Sequence, residues 1–138
     1  MKKYRSFFIC LVFVLTLAAC GKKADPIILP QADGVTSIDI TAGENTVSCS
    51  DKSWISEVLA GISNSEPTGR LSVQDVPLAD NYIRIDIRHA PATTSLFAYE
   101  DGGKYYIVQP YHGIYRIDGQ LYGRLREASS VTACGTAA

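Results

Sequence analysis

Asn81-Tyr82-Ile83-Arg84-Ile85-Asp86-Ile87-Arg88-His89 is the stretch on which the reading of the fold turns. Its isoleucines alternate with Tyr82, Arg84, Asp86 and Arg88, so an extended chain presents every isoleucine to one side and the polar residues to the other. A strand with one dry and one wet face belongs in an antiparallel sheet that is solvated on one side.

Downstream, Pro91-Ala92 turns the chain. Thr93 to Glu100 and Lys104 to Gln109 read as a hairpin around Asp101-Gly102-Gly103, a strong turn signal. Pro110 to Gly113 interrupts the ladder, Ile114 to Ile117 resumes it, and Asp118 can cap a last helix in which Leu121, Tyr122 and Leu125 recur at helical steps. Upstream, Leu71 to Val76 reads as an edge strand stopped by Pro77, which has no N–H to donate to a ladder. Val35 to Thr41 alternates with Thr36, Ile38 and Ile40 on one side, and Ala42-Gly43-Glu44-Asn45 supplies a turn. Thr46 to Ser50 returns with Val47 and Cys49 inward. Ser50 or Asp51 then offers a helix cap, and Trp54, Ile55, Val58, Leu59 and Ile62 make one apolar stripe that ends within Asn64 to Gly69. The expectation is an α+β domain over residues 35–128. It has an antiparallel sheet of about five to seven strands, a helix packed on one face after the first hairpin, and a short C-terminal helix. Residues 129–138, small and polar, read as a disordered tail.

The N-terminus reads differently. Lys2, Lys3 and Arg5 precede an uncharged apolar run that closes on Leu17-Ala18-Ala19-Cys20. Cationic start, short apolar segment and small residues are the parts of a secretory signal, and the run is well short of the roughly 20 residues a spanning helix needs. With Cys20 after the small pair, the pattern resembles the bacterial lipobox. That resemblance implies removal of residues 1–19, a diacylglyceryl group on Cys20 and an anchor in the cell membrane on its extracytoplasmic face. Gly21 to Gly34, with two lysines and two prolines, reads as a flexible tether, in which Ile27-Ile28-Leu29 either lies along the domain or dips into the headgroups. Loss of Lys2, Lys3 and Arg5 leaves 10 basic against 14 acidic residues, a net charge of −4. That balance argues against nucleic acid as a partner.

Of the four cysteines, Cys10 goes with the signal and Cys20 with the lipid, leaving Cys49 and Cys134. An oxidising compartment permits a bond between them. The favoured reading leaves them unpaired, with Cys49 as a small buried hydrophobe and Cys134 in a tail with little to order it.

Ser72-Val73-Gln74-Asp75-Val76-Pro77, and later Tyr105-Tyr106-Ile107-Val108-Gln109-Pro110-Tyr111-His112-Gly113-Ile114-Tyr115, resemble an uncharacterised domain family of small lipoproteins from Gram-positive bacteria. The Gln-Pro-Tyr-x-Gly-Ile-Tyr element is its more specific part, and the similarity runs from about Val35 to Asp118. The family is a domain of unknown function, so the resemblance implies compartment and architecture and no activity.

No catalytic pattern stands out. His89 and His112 lie on separate segments without acids or thiols at metal spacing, no serine sits in a strained Gly-x-Ser-x-Gly turn, and Gly102-Gly103 is a hairpin turn with no helix after it. No metal or cofactor is expected. Tyr99, Tyr105, Tyr106, Tyr111 and Tyr115 fit either strand packing or a recognition face. Tyr111, in a loop between Pro110 and Gly113, is the best placed for exposure. The candidate binding face therefore comprises Tyr111, His112 and Tyr115 with Arg84, Asp86 and Arg88. The function expected is that of a membrane-anchored, non-enzymatic binding or accessory module for an envelope protein or wall component. The alternatives are a small inhibitor of an extracellular enzyme, and an envelope hydrolase built from scattered carboxylates.

Overall fold

The computed structural model describes residues 25–130 and residue 134. Seven strands, β1 (Ser37–Ala42), β2 (Asn45–Cys49), β3 (Glu66–Pro67), β4 (Tyr82–His89), β5 (Ala92–Asp101), β6 (Lys104–Gln109) and β7 (Gly113–Ile117), accompany two helices, α1 (Lys52–Ser63) and α2 (Gly119–Ser130). The strands form one open antiparallel sheet in the order β2-β1-β4-β5-β6-β7-β3. This is the α+β architecture that the alternation predicts.

Register turns the alternation into a core. Ile40 stands opposite Ile85, which stands opposite Leu96, and the next row runs Ile83, Ala98, Ile107, Tyr115 across four strands. All of these are buried, and each large apolar side chain so removed from water contributes about 1.5–3 kcal/mol. The β5–β6 turn is a two-residue type with Gly102 at φ 58° and Gly103 at φ 74°. Both values are left-handed, which glycine adopts without steric cost.

Both helices cover the same face. Asp51 caps α1 by accepting the Trp54 N–H at 2.7 Å, and Asp118 caps α2 by accepting the Leu121 N–H at the same distance. Ile55, Val58, Leu59 and Ile62 of α1 and Leu121, Leu125 and Ala128 of α2 point inward. Gly61 allows the helices to approach closely, since a Cβ there would stand 3.1 Å from Leu121 Cδ1.

Four expectations are corrected. Leu71 to Val76 is not a strand. The free edge of β7 is already taken by residues 66–70, where Glu66 pairs with Arg116, the Thr68 N–H donates to Ile114 O and the Ile114 N–H to Arg70 O. Residues 71–76 therefore find the β7 edge occupied and pair with no strand among the described residues. The tether reading fails over residues 25–34. The Gln109 side chain accepts from the Ile28 N–H at 3.0 Å and donates to Ile28 O at 2.8 Å, while Ile27, Leu29 and Ala32 pack on the main core. Ile27-Ile28-Leu29 thus lies along the domain. Cys49 and Cys134 are joined in a disulfide. The tail reading fails with it at residues 129, 130 and 134, because α2 runs on to Ser130 with Ser129 buried and delivers the chain back to β2. Cys20 and the signal segment lie outside the described residues, as do residues 131–133 and 135–138.

Candidate functional site

The face opposite the helices divides into two halves. Across β4, β5, β6 and β7, the side chains Tyr82, Phe97, Tyr99, Tyr106, Val108 and Ile114 form a second, smaller core. Tyr82 meets Phe97 edge-on with ring centroids 5.5 Å apart, and Tyr99 stacks on Tyr106 at 5.5 Å. Arg70 lays its guanidinium 5.0 Å from the Tyr106 centroid, an attractive arrangement for a cation over a ring. The 70–81 loop runs over this half and leaves an open groove of about 660 Å³, bounded by Tyr99, Val108 and Ile114 on the sheet side.

The other half, carried by β2, β1 and β4 with the start of β5, is polar. Arg84 Nε donates to Asp86 Oδ1 at 3.1 Å, and Ser95 donates to the same oxygen at 2.6 Å. Arg88 grips Asp39 Oδ2 through Nε and Nη2, each at 2.6 Å. Register explains the cluster, because Asp39 stands directly opposite Asp86 and Asp86 opposite Ser95. Two carboxylates side by side would repel, and one guanidinium on each neutralises the pair. The side chains of Arg84 and Arg88 remain half-exposed, while Asp39 is buried and its Oδ1 has no partner among the described residues.

Of the predicted binding face, Arg84, Asp86 and Arg88 come together on this polar half. Tyr111 and His112 are exposed in the β6–β7 turn, where the His112 N–H donates to Gln109 O at 3.0 Å. Pro110 occupies the second position of that turn and Tyr111 the third, at φ 62°, a site that ordinarily takes glycine or asparagine. The Tyr111 hydroxyl donates to Asp75 of the 70–81 loop, and that bond holds its proton and raises its pKa.

Tyr115 does not belong to any binding face. It is fully buried on the helix side, and its hydroxyl donates to Asp25 O at 2.7 Å. Burial, and then the Asp25 charge, push its pKa upward.

Sequence reasoning missed Asp39, Asp75 and Gln109. Asp39 is recognisable as outward-facing, but its pairing with Arg88 depends on a register between distant strands. Gln109 had a signal, since it shares the inward face of β6 with Ile107, and a buried amide requires partners. Among the described residues no group of three or more His, Cys, Asp or Glu is placed to hold a metal ion. What the polar half can do is present guanidinium and carboxylate groups, already fixed in geometry, to an incoming polar surface.

A solved structure from Ruminococcus gnavus, described only as an NMR structure of the protein from that organism, is similar to this chain. It is 36% identical, covers 69% of this chain and 97% of its own, and superposes with a TM-score of 0.61. No curated protein matches. Residues 23–116 match the model of DUF5301, described as "Domain of unknown function (DUF5300)", and the chain belongs to that family.

Proposed function

We propose that the protein is a lipoprotein of the kind found in Gram-positive bacteria, held on the extracytoplasmic face of the cell membrane by a diacylglyceryl group on Cys20. There it acts as a non-enzymatic accessory module that binds an envelope partner. The order of cationic start, apolar run and Leu17-Ala18-Ala19-Cys20 supports the anchor. The disulfide between Cys49 and Cys134 supports an oxidising compartment. The observation that carries the binding role is the polar half of the sheet, where Asp86 and Asp39 hold Arg84 and Arg88 in place while neither the helices nor the 70–81 loop covers them. Side chains fixed before binding lose less entropy on binding, which is what a recognition surface requires.

The test is photo-cross-linking in intact cells, with a photoreactive residue at Thr41 or Ser95 on the polar half and a control at Glu57 on α1. The expected result is one adduct of constant mass from the first two positions, lost in Arg84→Glu/Arg88→Glu. Equal adducts from Glu57, or adducts untouched by the charge reversal, refute the surface. Unchanged acyl labelling in Cys20→Ser refutes the anchor.

A further inference from the structure

The exposed large apolar side chains of the described chain are Ile28, Leu71, Val73, Val76, Leu78 and Tyr111, ranging from 41% exposed at Val76 to 87% at Leu78. Contacts connect them. Ile28 is hydrogen-bonded to Gln109, which begins the turn that holds Tyr111, and Tyr111 is hydrogen-bonded to Asp75, which lies between Val73 and Val76. Arg70, next to Leu71, is bonded through its backbone to Ile114, just past the same turn. Linked apolar exposure of this kind marks a contact surface. Asp75 is the one acid within residues 71–78, and the Tyr111 hydroxyl donates to its Oδ1.

The place where residues 25–28 join the domain bears on what could cover this surface. Asp25 is held by Tyr115, and Ile28 three residues on by Gln109, so the chain enters the domain at the end that carries the β6–β7 turn. Cys20 lies five residues before Asp25. Five residues span at most about 18 Å even when fully extended. A lipid on Cys20 therefore keeps Ile28, Tyr111 and the 71–78 loop within a short reach of the leaflet that holds it. At that distance the second contact is effectively intramolecular, and a weak surface affinity becomes a persistent one. Tyrosine, with an apolar ring and a polar tip, suits the headgroup boundary, and valine and leucine suit the layer beneath it.

We propose that Ile28, Tyr111 and the 71–78 loop form a seat by which the domain rests on the outer leaflet of its own membrane. The seat rests on the anchoring proposed above. It fixes the orientation of the domain, turning the exposed end of the loop into the lipid boundary.

The test uses the full-length protein isolated from membranes and reconstituted into vesicles of phosphatidylcholine and phosphatidylglycerol that carry a phospholipid with a diazirine in its acyl chain. After illumination, labelled residues are mapped by mass spectrometry, and the mass of the Cys20 peptide reports acylation. The expected result is label at Tyr111 and within residues 71–78, about tenfold above the β1–β2 turn at Gly43-Glu44. Val73→Ser/Leu78→Ser, at two exposed positions outside either core, is expected to cut the Tyr111 label by about tenfold or more. An acylated Cys20 with label spread evenly over the domain, or absent from residues 71–78 and Tyr111, overturns the seat and leaves the anchor standing. That outcome frees the patch for a protein partner. An unacylated Cys20 overturns both.

Discussion

Replacing Cys134 by serine should destabilise the domain severely, and the size of the effect follows from the loop that its disulfide closes. Cys49 and Cys134 are 85 residues apart in sequence. Removing a cross-link over that length releases about 4.5 kcal/mol of unfolded-state entropy at 25 °C, on the chain-entropy model. Domains of this size have about 5–15 kcal/mol of stability in all, so the bond is worth about 30% of the total or more. At about 4 °C per kcal/mol the midpoint falls by about 15–20 °C. Cys134 is the position to change, because Cys49 is fully buried and a hydroxyl there would add a cost of its own. Thermal and urea unfolding of the variant, followed by circular dichroism, should match the wild type treated with dithiothreitol. The urea m-value should rise in both, since an unlinked chain unfolds to a more open state. The reasoning is refuted if the variant melts within a degree or two of the oxidised wild type. Tryptic mapping that finds Cys49 and Cys134 as free thiols in protein purified from its native host under non-reducing conditions refutes the bond itself.

Gln109→Leu should keep the packing but break both bonds to Ile28, costing about 2 kcal/mol and speeding exchange of the Ile28 amide about 30-fold, with Ile85 scarcely changed. Equal acceleration at both sites would show that residues 25–29 are not a separately opening unit. Alkali should destabilise the fold, because Tyr99, Tyr115 and Tyr122 are pushed above the ordinary tyrosine pKa of 10.0 mainly by burial. The folded state holds those protons more tightly, so the stability is complete below the unfolded pKa and is lost as pH rises through the folded values. Urea midpoints should therefore drop as the pH rises above 10, less so in Tyr115→Phe, and a flat profile would contradict the assignment. Gly123→Ala should stabilise α2 by about 1 kcal/mol, since a Cβ there meets nothing within 4 Å; a lower melting temperature would count against the helix as described.

The strands were legible wherever alternation had a definite partner. β4 and the β5–β6 hairpin appear almost residue for residue in the sequence, as does the Asp118 cap, while the first cap is narrowed to Ser50 or Asp51, because each is dictated within a few positions. Leu71 to Val76 misled for a physical reason. Its composition suits a strand, but strand formation needs a free edge, and residues 66–70 had already occupied that of β7. The disulfide was hidden because α2 extends past Leu125 through Ala128 and Ser129, small residues that seem featureless until a sheet lies beneath them. For the candidate site, Arg84, Asp86 and Arg88 were readable as a wet face, whereas the Asp39 partner was not, since nothing local sets the register of β1 on β4. Tyr115 was misplaced because it was grouped with the other tyrosines of the segment and not by the alternation of β7 itself. Its neighbours Ile107 and Ile117 face the core with it.

The coverage of the sheet bears on what the molecule can do. Helices α1 and α2 with residues 27, 29 and 32 close one face, and the 70–81 loop crosses the aromatic half of the other. What stays open is the polar half, which needs no cover because its charges neutralise one another in pairs, Arg84 with Asp86 along β4 and Arg88 with Asp39 across to β1. Loop residues that merely roofed the aromatic core would turn their large apolar side chains down onto it. Instead Ala79 packs there, while Leu71, Val73 and Leu78 line the open groove and stay largely exposed. A tyrosine likewise occupies a turn position that glycine would take without strain. Cover for the small core therefore accounts for the backbone path of the loop and leaves the exposure of its large apolar side chains unexplained. An apolar contact at this end, next to where the chain enters from Cys20, accounts for both the exposed loop side chains and the exposed tyrosine.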